Sequence, residues 1–287
     1  GIKGNVEEIK PDNINTLLEK QNHISYINGY SNGTFEPDRN MTRAEVVTIF
    51  TRLLKNKEVD ISKAVAFTDI EEHWAYESIK IMSELGIVKG YADGTFKPQG
   101  NITRAEFATM ISRFEEVQEM QNKSYFVDIN KEHWAYNTIN YAYNRGWISG
   151  YEDKTFKPDN AITRAEAVTI INRVLERSAD IEYLNENSEL NKYTDITNHW
   201  AYYGILEASI PHEHKKETIS EKWKYLWGEE FKIIYSMNDE ENKKFADVKS
   251  YKLGERVKLP EKAYSESENR FLGWSLMPDG EIIRKYN

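Results

Sequence analysis

Cysteine is absent from the 287 residues, which removes disulfides, thiolate catalysis and Cys-ligated zinc together. A cysteine-free chain suits any compartment, so this absence does not decide location. No apolar run reaches the roughly 18 residues that a spanning helix needs, so no membrane span is expected. The opening Gly1-Ile2-Lys3-Gly4-Asn5 has no apolar leader core; either a leader has been removed or the chain is part of a longer one. Base is in deficit, with 38 Lys+Arg against 47 Asp+Glu and a net charge of −9. Such a chain is a poor general ligand for nucleic acid or anionic membrane, and any polyanion must be met by locally placed bases. The GxSxG, HExxH, Walker and Rossmann patterns are missing too. With so many acids some carboxylate pair is always at hand, so acid count is no sign of catalysis. The expectation is a protein that is not an enzyme, with no catalytic residues and no cofactor.

What is present is enough for a core: 39% of residues are hydrophobic and 13% aromatic, which excludes wholesale disorder. The length suits about two domains. Self-similarity then organises most of the chain. Gly29-Tyr30-Ser31-Asn32-Gly33-Thr34-Phe35-Glu36-Pro37 leads to Met41-Thr42-Arg43-Ala44-Glu45. The same pattern recurs from Gly90 to Pro98 with Thr103-Arg104-Ala105-Glu106, and from Gly150 to Pro158 with Thr163-Arg164-Ala165-Glu166. A second element also occurs three times. Phe67-Thr68-Asp69-Ile70 precedes His73-Trp74-Ala75, Phe126-Val127-Asp128-Ile129 precedes His133-Trp134-Ala135, and Tyr193-Thr194-Asp195-Ile196 precedes His199-Trp200-Ala201.

Thr-Arg-Ala-Glu reads as a capping box, with Thr42, Thr103 and Thr163 at N-cap and Glu45, Glu106 and Glu166 at N3. An apolar helical period follows each. Asp69, Asp128 and Asp195 can bond backbone amides where a helix begins, and the next helices stop at Gly86 and Gly146 in the first two copies. Each unit is then two short helices joined by a tight loop, and units must pack on one another to bury their apolar faces. The loop glycines are needed for positive φ. The three tryptophans allow two readings, core anchor or sugar platform. Arg43, Arg104 and Arg164 are the informative residues, because a cation at N1 opposes the helix dipole by about 0.3–1 kcal/mol. One explanation is a salt bridge to a nearby carboxylate. The other is an anionic ligand held by the guanidinium and the free amides of the helix N-terminus. Because N1 arginine opposes the dipole, Arg→Ala is expected to change stability little.

The alternating elements resemble the S-layer homology (SLH) domain over about residues 24–209. The resemblance implies a mainly α fold, a pseudo-threefold bundle of three helix–loop–helix units. The two elements are out of phase along the chain, so the helix near 199–209 is expected to pack beside Gly29–Pro37 and close the ring. The expected domains are an extension over 1–23, the SLH trimer over 24–210 (repeats about 24–60, 61–120 and 121–180, closing helix 193–210), a linker over 211–228 and a small β module over 229–287. The resemblance also implies a function: non-covalent anchoring of a bacterial surface protein to secondary cell-wall polysaccharide. That glycan commonly carries a pyruvyl ketal on N-acetylmannosamine, and the ketal bears a carboxylate. The implied glycan-binding residues are Arg43, Arg104 and Arg164, Asp69, Asp128 and Asp195, Trp74, Trp134 and Trp200, and the loop glycines Gly33 and Gly94. Lys154 replaces the glycine in the third loop, which either weakens the groove of Arg164 or adds a lysine contact to the anion. The alternatives are a structural S-layer lattice or adhesin protein, with other surface-layer subunits as partners, and the anchoring part of a larger surface enzyme.

Outside the repeats the signals are weaker. Ile14, Leu17 and Leu18 form a short amphipathic stretch. Residues 180–192 are polar and read as a loop. His212-Glu213-His214 has a metal-like spacing, but two ligands beside lysines make a poor site, so no metal is expected. Phe231-Lys232-Ile233-Ile234-Tyr235 reads as a strand, and Tyr251–Pro260 as a turn and strand. With Phe271-Leu272-Gly273-Trp274 they resemble the internalin-type B repeat (Listeria–Bacteroides repeat), a β-grasp-like α+β module. Its usual glycine pair is replaced by Met237-Asn238-Asp239-Glu240.

Overall fold

Thr-Arg-Ala-Glu folds as a capping box in all three copies: each threonine hydroxyl accepts from the N3 amide, and each N3 glutamate accepts from the threonine amide. The computed structural model describes residues 14–117, 124–216, 221–224, 231–236, 244–251, 273–275 and 282–285. They divide into a unit Gly1–Lys224 and a unit Tyr225–Asn287. In the first, α1 (Ile14–Leu17) is followed by α2 (Arg43–Arg52), α3 (Tyr76–Glu84), α4 (Arg104–Ser112), α5 (Tyr136–Asn144), α6 (Arg164–Val174), α7 (Ile181–Glu186) and α8 (Tyr202–Ser209). The capping boxes start α2, α4 and α6. Helices α3, α5 and α8 are the His-Trp-Ala helices, packed on α2, α4 and α6 respectively.

Three backbone hydrogen bonds tie the copies around a pseudo-threefold axis. Met41 N–H donates to the Ile162 carbonyl, Ile162 to Ile102, and Ile102 back to Met41, each at 3.0 Å. All three side chains are fully buried. Around them the core is filled by the apolar faces of the capped helices, with Phe50 against Phe107 and Phe114. No copy could close this core alone.

Each Asp-containing element holds a Gly-Tyr loop. Asp69 accepts from the Phe96 and Lys97 amides at 2.8 and 2.7 Å, and Asp128 from Phe156 and Lys157 at 2.8 Å each. Asp195 accepts from Phe35 and Glu36 at 2.8 and 2.7 Å. The third pair joins residues 160 positions apart, so the last element completes the first unit and the ring closes as expected. The aspartates therefore act on loops and not at helix starts: the His-Trp-Ala helices have no side-chain cap. The clamped residues need holding, because Glu36, Lys97 and Lys157 have φ of 56°, 56° and 54°, which costs an L-residue roughly 1–2 kcal/mol. An aromatic ring seals each loop from the other side. A Cβ on Gly90 would lie 2.4 Å from the Phe67 ring, and one on Gly29 as close to Tyr193.

The stretch before the first repeat also joins the ring. Leu18 is fully buried and bridges to Leu54, and Tyr26 donates to Asn172 Oδ1 at 2.6 Å. Residues 180–192 are not a plain loop: Asp180 caps α7 by accepting from Tyr183 N–H at 3.1 Å, and Leu184 and Leu190 are buried. The expected linker contains an antiparallel strand pair, β1 (Glu213–Lys216) with β2 (Glu221–Lys224). In the second unit β3 (Phe231–Ser236) pairs antiparallel with β4 (Lys244–Tyr251), and β5 (Gly273–Ser275) with β6 (Ile282–Lys285). The strand expected at Phe231–Tyr235 is β3. Most of the Tyr251–Pro260 turn and strand, and with it the β-grasp-like order, lies outside the described residues.

Asp195→Ala removes the acceptor that closes the ring. Two hydrogen bonds to an ionised group are lost, so the unfolding free energy should fall by about 2–3 kcal/mol, read from the urea midpoint. Asp128→Ala, which opens the same clamp between sequence neighbours, should match it. An unchanged midpoint in Asp195→Ala would show that the first loop keeps its shape without the closing element.

Candidate functional site

The arginine of each capping box leaves its own helix and enters the next copy. Arg43 donates through Nε to the Phe96 carbonyl at 2.8 Å, through Nη1 to Glu106 at 3.1 Å and through Nη2 to the Lys89 carbonyl at 3.2 Å. Arg104 repeats this with Phe156, Glu166 and Ser149 at 2.9, 3.0 and 3.2 Å. Each guanidinium lies over the loop tyrosine: Arg43 is 4.8 Å from the Tyr91 ring centre, Arg104 5.0 Å from Tyr151 and Arg164 5.1 Å from Tyr30. The three arginines are only 4–6% exposed. Their repetition at N1 thus has a structural cause: the cost beside the dipole is offset by charge-assisted bonds that staple one copy to the next.

The third staple differs. Arg164 donates to the Phe35 and Asn28 carbonyls at 2.9 and 2.8 Å. The matching glutamate, Glu45, is instead engaged by Arg39 Nη2. Among the described residues no carboxylate lies within ion-pair distance of Arg164. Burial lowers its pKa below arginine's ordinary value, and the neighbouring Arg39 charge pushes the same way against Tyr30 and Glu45. Arg39 stands where the other copies have Gly100 and Asn160.

The helix N-termini are not free anion cradles. The N1 and N2 amides of α2 donate to the Gly100 and Pro98 carbonyls, those of α4 to Asn160 and Pro158, and those of α6 to Arg39 and Pro37. The N3 amide goes to the threonine. What remains for a ligand is side-chain chemistry. A guanidinium has five N–H donors; the bonds above engage three in Arg43 and Arg104, and two in Arg164.

Exposure excludes one reading of the tryptophans: Trp74, Trp134 and Trp200 are 61, 62 and 64% exposed. None is a core anchor. The adjacent histidine ring lies 5.3–5.8 Å away in each copy. Its Nδ1 accepts from the amide two residues on at 3.1 Å, which fixes the turn that presents the indole. His73 Nε2 meets the Gln99 amide at 2.7 Å and His199 Nε2 meets Asp38 at 3.3 Å, so two of these turns rest on the loop that also receives an arginine.

The loops sort the candidates into three sets. The first loop takes Asp195, Trp200, Tyr30 and Arg164; the second Asp69, Trp74, Tyr91 and Arg43; the third Asp128, Trp134, Tyr151 and Arg104. Lys154 therefore belongs with Arg104 and not with Arg164, because each arginine serves the loop of another copy. Gly33 and Gly94 have φ of 84° and 81°, and Lys154 holds the same position at 63°. A Cβ at Gly33 or Gly94 meets nothing closer than 4.0 Å, so conformation and not space is why glycine stands there. Sequence reasoning passed over Tyr30, Tyr91, Tyr151 and Arg39. The tyrosines were visible as the residue after glycine in every loop, and Arg39 as an arginine in one copy alone.

Three segments, 25–47, 66–108 and 125–168, match the S-layer homology domain. The chain is 38% identical over 231 residues, 76% of its length, to "Cell surface glycoprotein 1" of Acetivibrio thermocellus. It is 40% identical over 202 residues, 67% of its length, to the "Cellulosome-anchoring protein" of the same organism, and 33% identical over 135 residues, 47% of its length, to "Exoglucanase XynX", also of that organism. These matches span 10%, 44% and 12% of the three proteins.

The staple geometry reverses the expectation for stability. Arg104→Ala removes the charged partner of Glu166, which keeps the Tyr151 hydroxyl at 3.3 Å, and the donor to two carbonyls; losing these charge-assisted bonds should cost about 2–3 kcal/mol. Urea unfolding measures it, and a change under 0.5 kcal/mol, within what surface substitutions commonly cost, would mean that water replaces the guanidinium freely. Lys154→Gly relieves a left-handed lysine and should raise stability by about 1 kcal/mol in the same assay. A loss there would show that Lys154 makes a compensating contact.

Proposed function

The chain carries three SLH domains, and its relatives include surface and anchoring proteins. We propose that it holds a bacterial surface protein to the cell wall by binding secondary cell-wall polysaccharide, as a segment that binds and does not catalyse. The observation that carries this is the exposure of Trp74, Trp134 and Trp200 in all three copies. An indole left in water forgoes the stabilisation that burial would give it. Nothing in the packing of the ring requires that sacrifice three times. A sugar ring stacked on the indole face recovers it.

The proposed ligand is a pyruvylated glycan containing N-acetylmannosamine. A carboxylate suits the donors that each staple arginine retains, and the tyrosine under the guanidinium adds a half-exposed ring beside them. The grooves are then unequal. Arg43 and Arg104 already face a glutamate, whereas Arg164 has no carboxylate partner and keeps more donors. We rank the first-loop groove, with Arg164, Tyr30 and Trp200, as the strongest, and the third-loop groove, with Arg104 and Lys154, as the weakest. Asp69, Asp128 and Asp195 shape the loops in this reading, with both carboxylate oxygens already bonded to amides. The anchored protein would be longer than this chain, and a catalytic part elsewhere in it is compatible with the same role. The internalin-type B repeat resemblance of residues 231–274 remains part of this proposal, as a second surface-protein module.

The test is co-sedimentation with purified cell wall, with and without chemical removal of pyruvyl groups. Binding should be lost with the ketal, and Trp200→Ala should weaken it by roughly 10-fold, the ~1.4 kcal/mol of one stacking contact, with the melting temperature unchanged. Arg164→Ala should weaken it by roughly 10- to 100-fold, and by more than Arg104→Ala. Equal binding to stripped wall would sink the pyruvyl assignment, and equal binding by a Trp74→Ala/Trp134→Ala/Trp200→Ala chain would sink the grooves.

A further inference from the structure

The seam where the ring closes holds a cluster of side chains that the wall-binding reading does not use. His23 comes before the first repeat, and Glu207 and His212 lie at and beyond the end of α8. A backbone bridge brings them together: His212 N–H donates to the His23 carbonyl at 3.2 Å, and Tyr26 N–H donates to the Ala208 carbonyl at 3.1 Å. Arg177 fastens the same strand by donating to the Ile24 and Asn22 carbonyls at 3.0 Å each. The three side chains are almost wholly buried, at 1, 0 and 0% exposure for His23, Glu207 and His212.

One ligating atom from each of the three lies within 4.8 Å of the others. His23 Nδ1 lies 2.9 Å from His212 Nε2 and 2.9 Å from Glu207 Oε1, and His212 Nε2 lies 3.4 Å from Glu207 Oε2. Ligands bound 2.0–2.1 Å from a tetrahedral zinc stand roughly 3.3 Å from one another. The observed separations differ from that by a few tenths of an ångström. His212 Nδ1 faces the Ile210 carbonyl at 2.8 Å, so it carries the proton and leaves the Nε2 lone pair aimed into the cluster. A ligating histidine is commonly oriented in this way by a backbone carbonyl. The His214 ring stacks on His23 at 3.6 Å and so buttresses a ligand without being one. Glu207 faces His23 through Oε1 and His212 through Oε2, so its two oxygens can fill the third and fourth positions beside the two imidazole nitrogens.

We propose that His23, Glu207 and His212 bind a divalent transition metal of the zinc class, forming a staple across the seam that joins the two ends of the ring. Two imidazole nitrogens and one carboxylate favour zinc over calcium or magnesium, which take oxygen ligands. The metal-like spacing of His212 and His214 is thus misleading, because His214 stacks and the second nitrogen comes from a residue 189 positions away. An ion bound there stabilises the closed ring by mass action, since the unfolded chain does not hold the three ligands together.

The experiment uses the full chain without a histidine tag, stripped with EDTA and titrated with zinc by calorimetry. In parallel it is titrated with cobalt(II), whose visible absorption is strong in four-coordinate sites and faint in six-coordinate ones. One ion per chain is expected, with a four-coordinate cobalt spectrum and a melting temperature that rises with zinc. His23→Gln and His212→Gln should each weaken binding by about 100-fold or more, beyond the roughly 10- to 100-fold cost of losing a ligand's outer support. His133→Gln, outside the seam, should bind as the parent does. Absence of stoichiometric zinc binding to the parent chain, or a six-coordinate cobalt spectrum, would overturn the site whether or not the variants fold. Equal affinity in His212→Gln would do the same. In those cases the cluster is a histidine–glutamate hydrogen-bond network and nothing more.

Discussion

A helix–loop–helix unit with one apolar face has no inside of its own, and closure of the ring supplies one. The bonds linking Met41, Ile162 and Ile102 exist only if all three copies are present. The contact between Asp195 and the first loop exists only if the last element returns to the first. The proposed first-loop groove and the seam cluster depend directly on that return. The first loop is held by Asp195, receives Arg164 and stands by Trp200, so one of the three grooves is assembled wholly from the two ends of the ring. Loop-closure entropy grows only logarithmically with separation. Joining residues 160 positions apart is therefore not much harder than the 27- and 28-residue closures in the other two copies.

The proposed function would place two demands on the arginine at once. As a staple it is buried and bonded, and as a ligand donor it would have to keep N–H groups to offer. A guanidinium can satisfy both because its donors are several and fixed in a plane, whereas a lysine ammonium is one flexible, strongly hydrated point charge. The tyrosine below it and the glutamate beside it hold the plane in position. In the proposed reading the same arrangement would couple stability to recognition, because a change that weakens the staple would also release the ligand donor. Copy one departs from this, since Arg39 takes the glutamate and leaves Arg164 bonded to carbonyls alone.

Most of the capping and turn chemistry was readable in the sequence, and most contacts between copies were not. The capping boxes of Thr42, Thr103 and Thr163 involve residues three apart, and all were expected. The need for positive φ at Gly33 and Gly94, and the cost at Lys154, followed from turn chemistry in the same way. Ring closure was legible because repetition supplied the partner: two elements out of phase leave one of each unmatched. The partners of the arginines were not legible, because Glu106 already had a role in its own capping box and nothing local shows that its second oxygen faces another copy. The amides of the helix N-termini were expected to be free for the same reason, since the carbonyls that occupy them come from loops 53 to 57 residues away in two copies and 125 to 128 in the third. Residues 180–192 were misread because composition outweighed a single Asp180 cap and two buried leucines.

Exposure separates the two kinds of repeated aromatic residue. Phe35, Phe96 and Phe156 are buried at the centre of their loops, while the tryptophans stand in water, although both recur with equal regularity. Repetition therefore cannot tell core from surface: it records only that each copy meets the same constraint. For the phenylalanines that constraint is packing under an arginine and an aromatic cap, which the ring satisfies internally. For the tryptophans the adjacent histidine ring, which also holds the turn, covers only part of the indole and leaves most of it exposed. An indole left mostly exposed in every copy is available to a partner from outside, and to a repetitive one in all three places alike. Under the proposed wall-binding reading, a polysaccharide would meet that constraint better than a single small molecule, because repeated sugars could engage more than one copy and the gain from doing so exceeds any one contact.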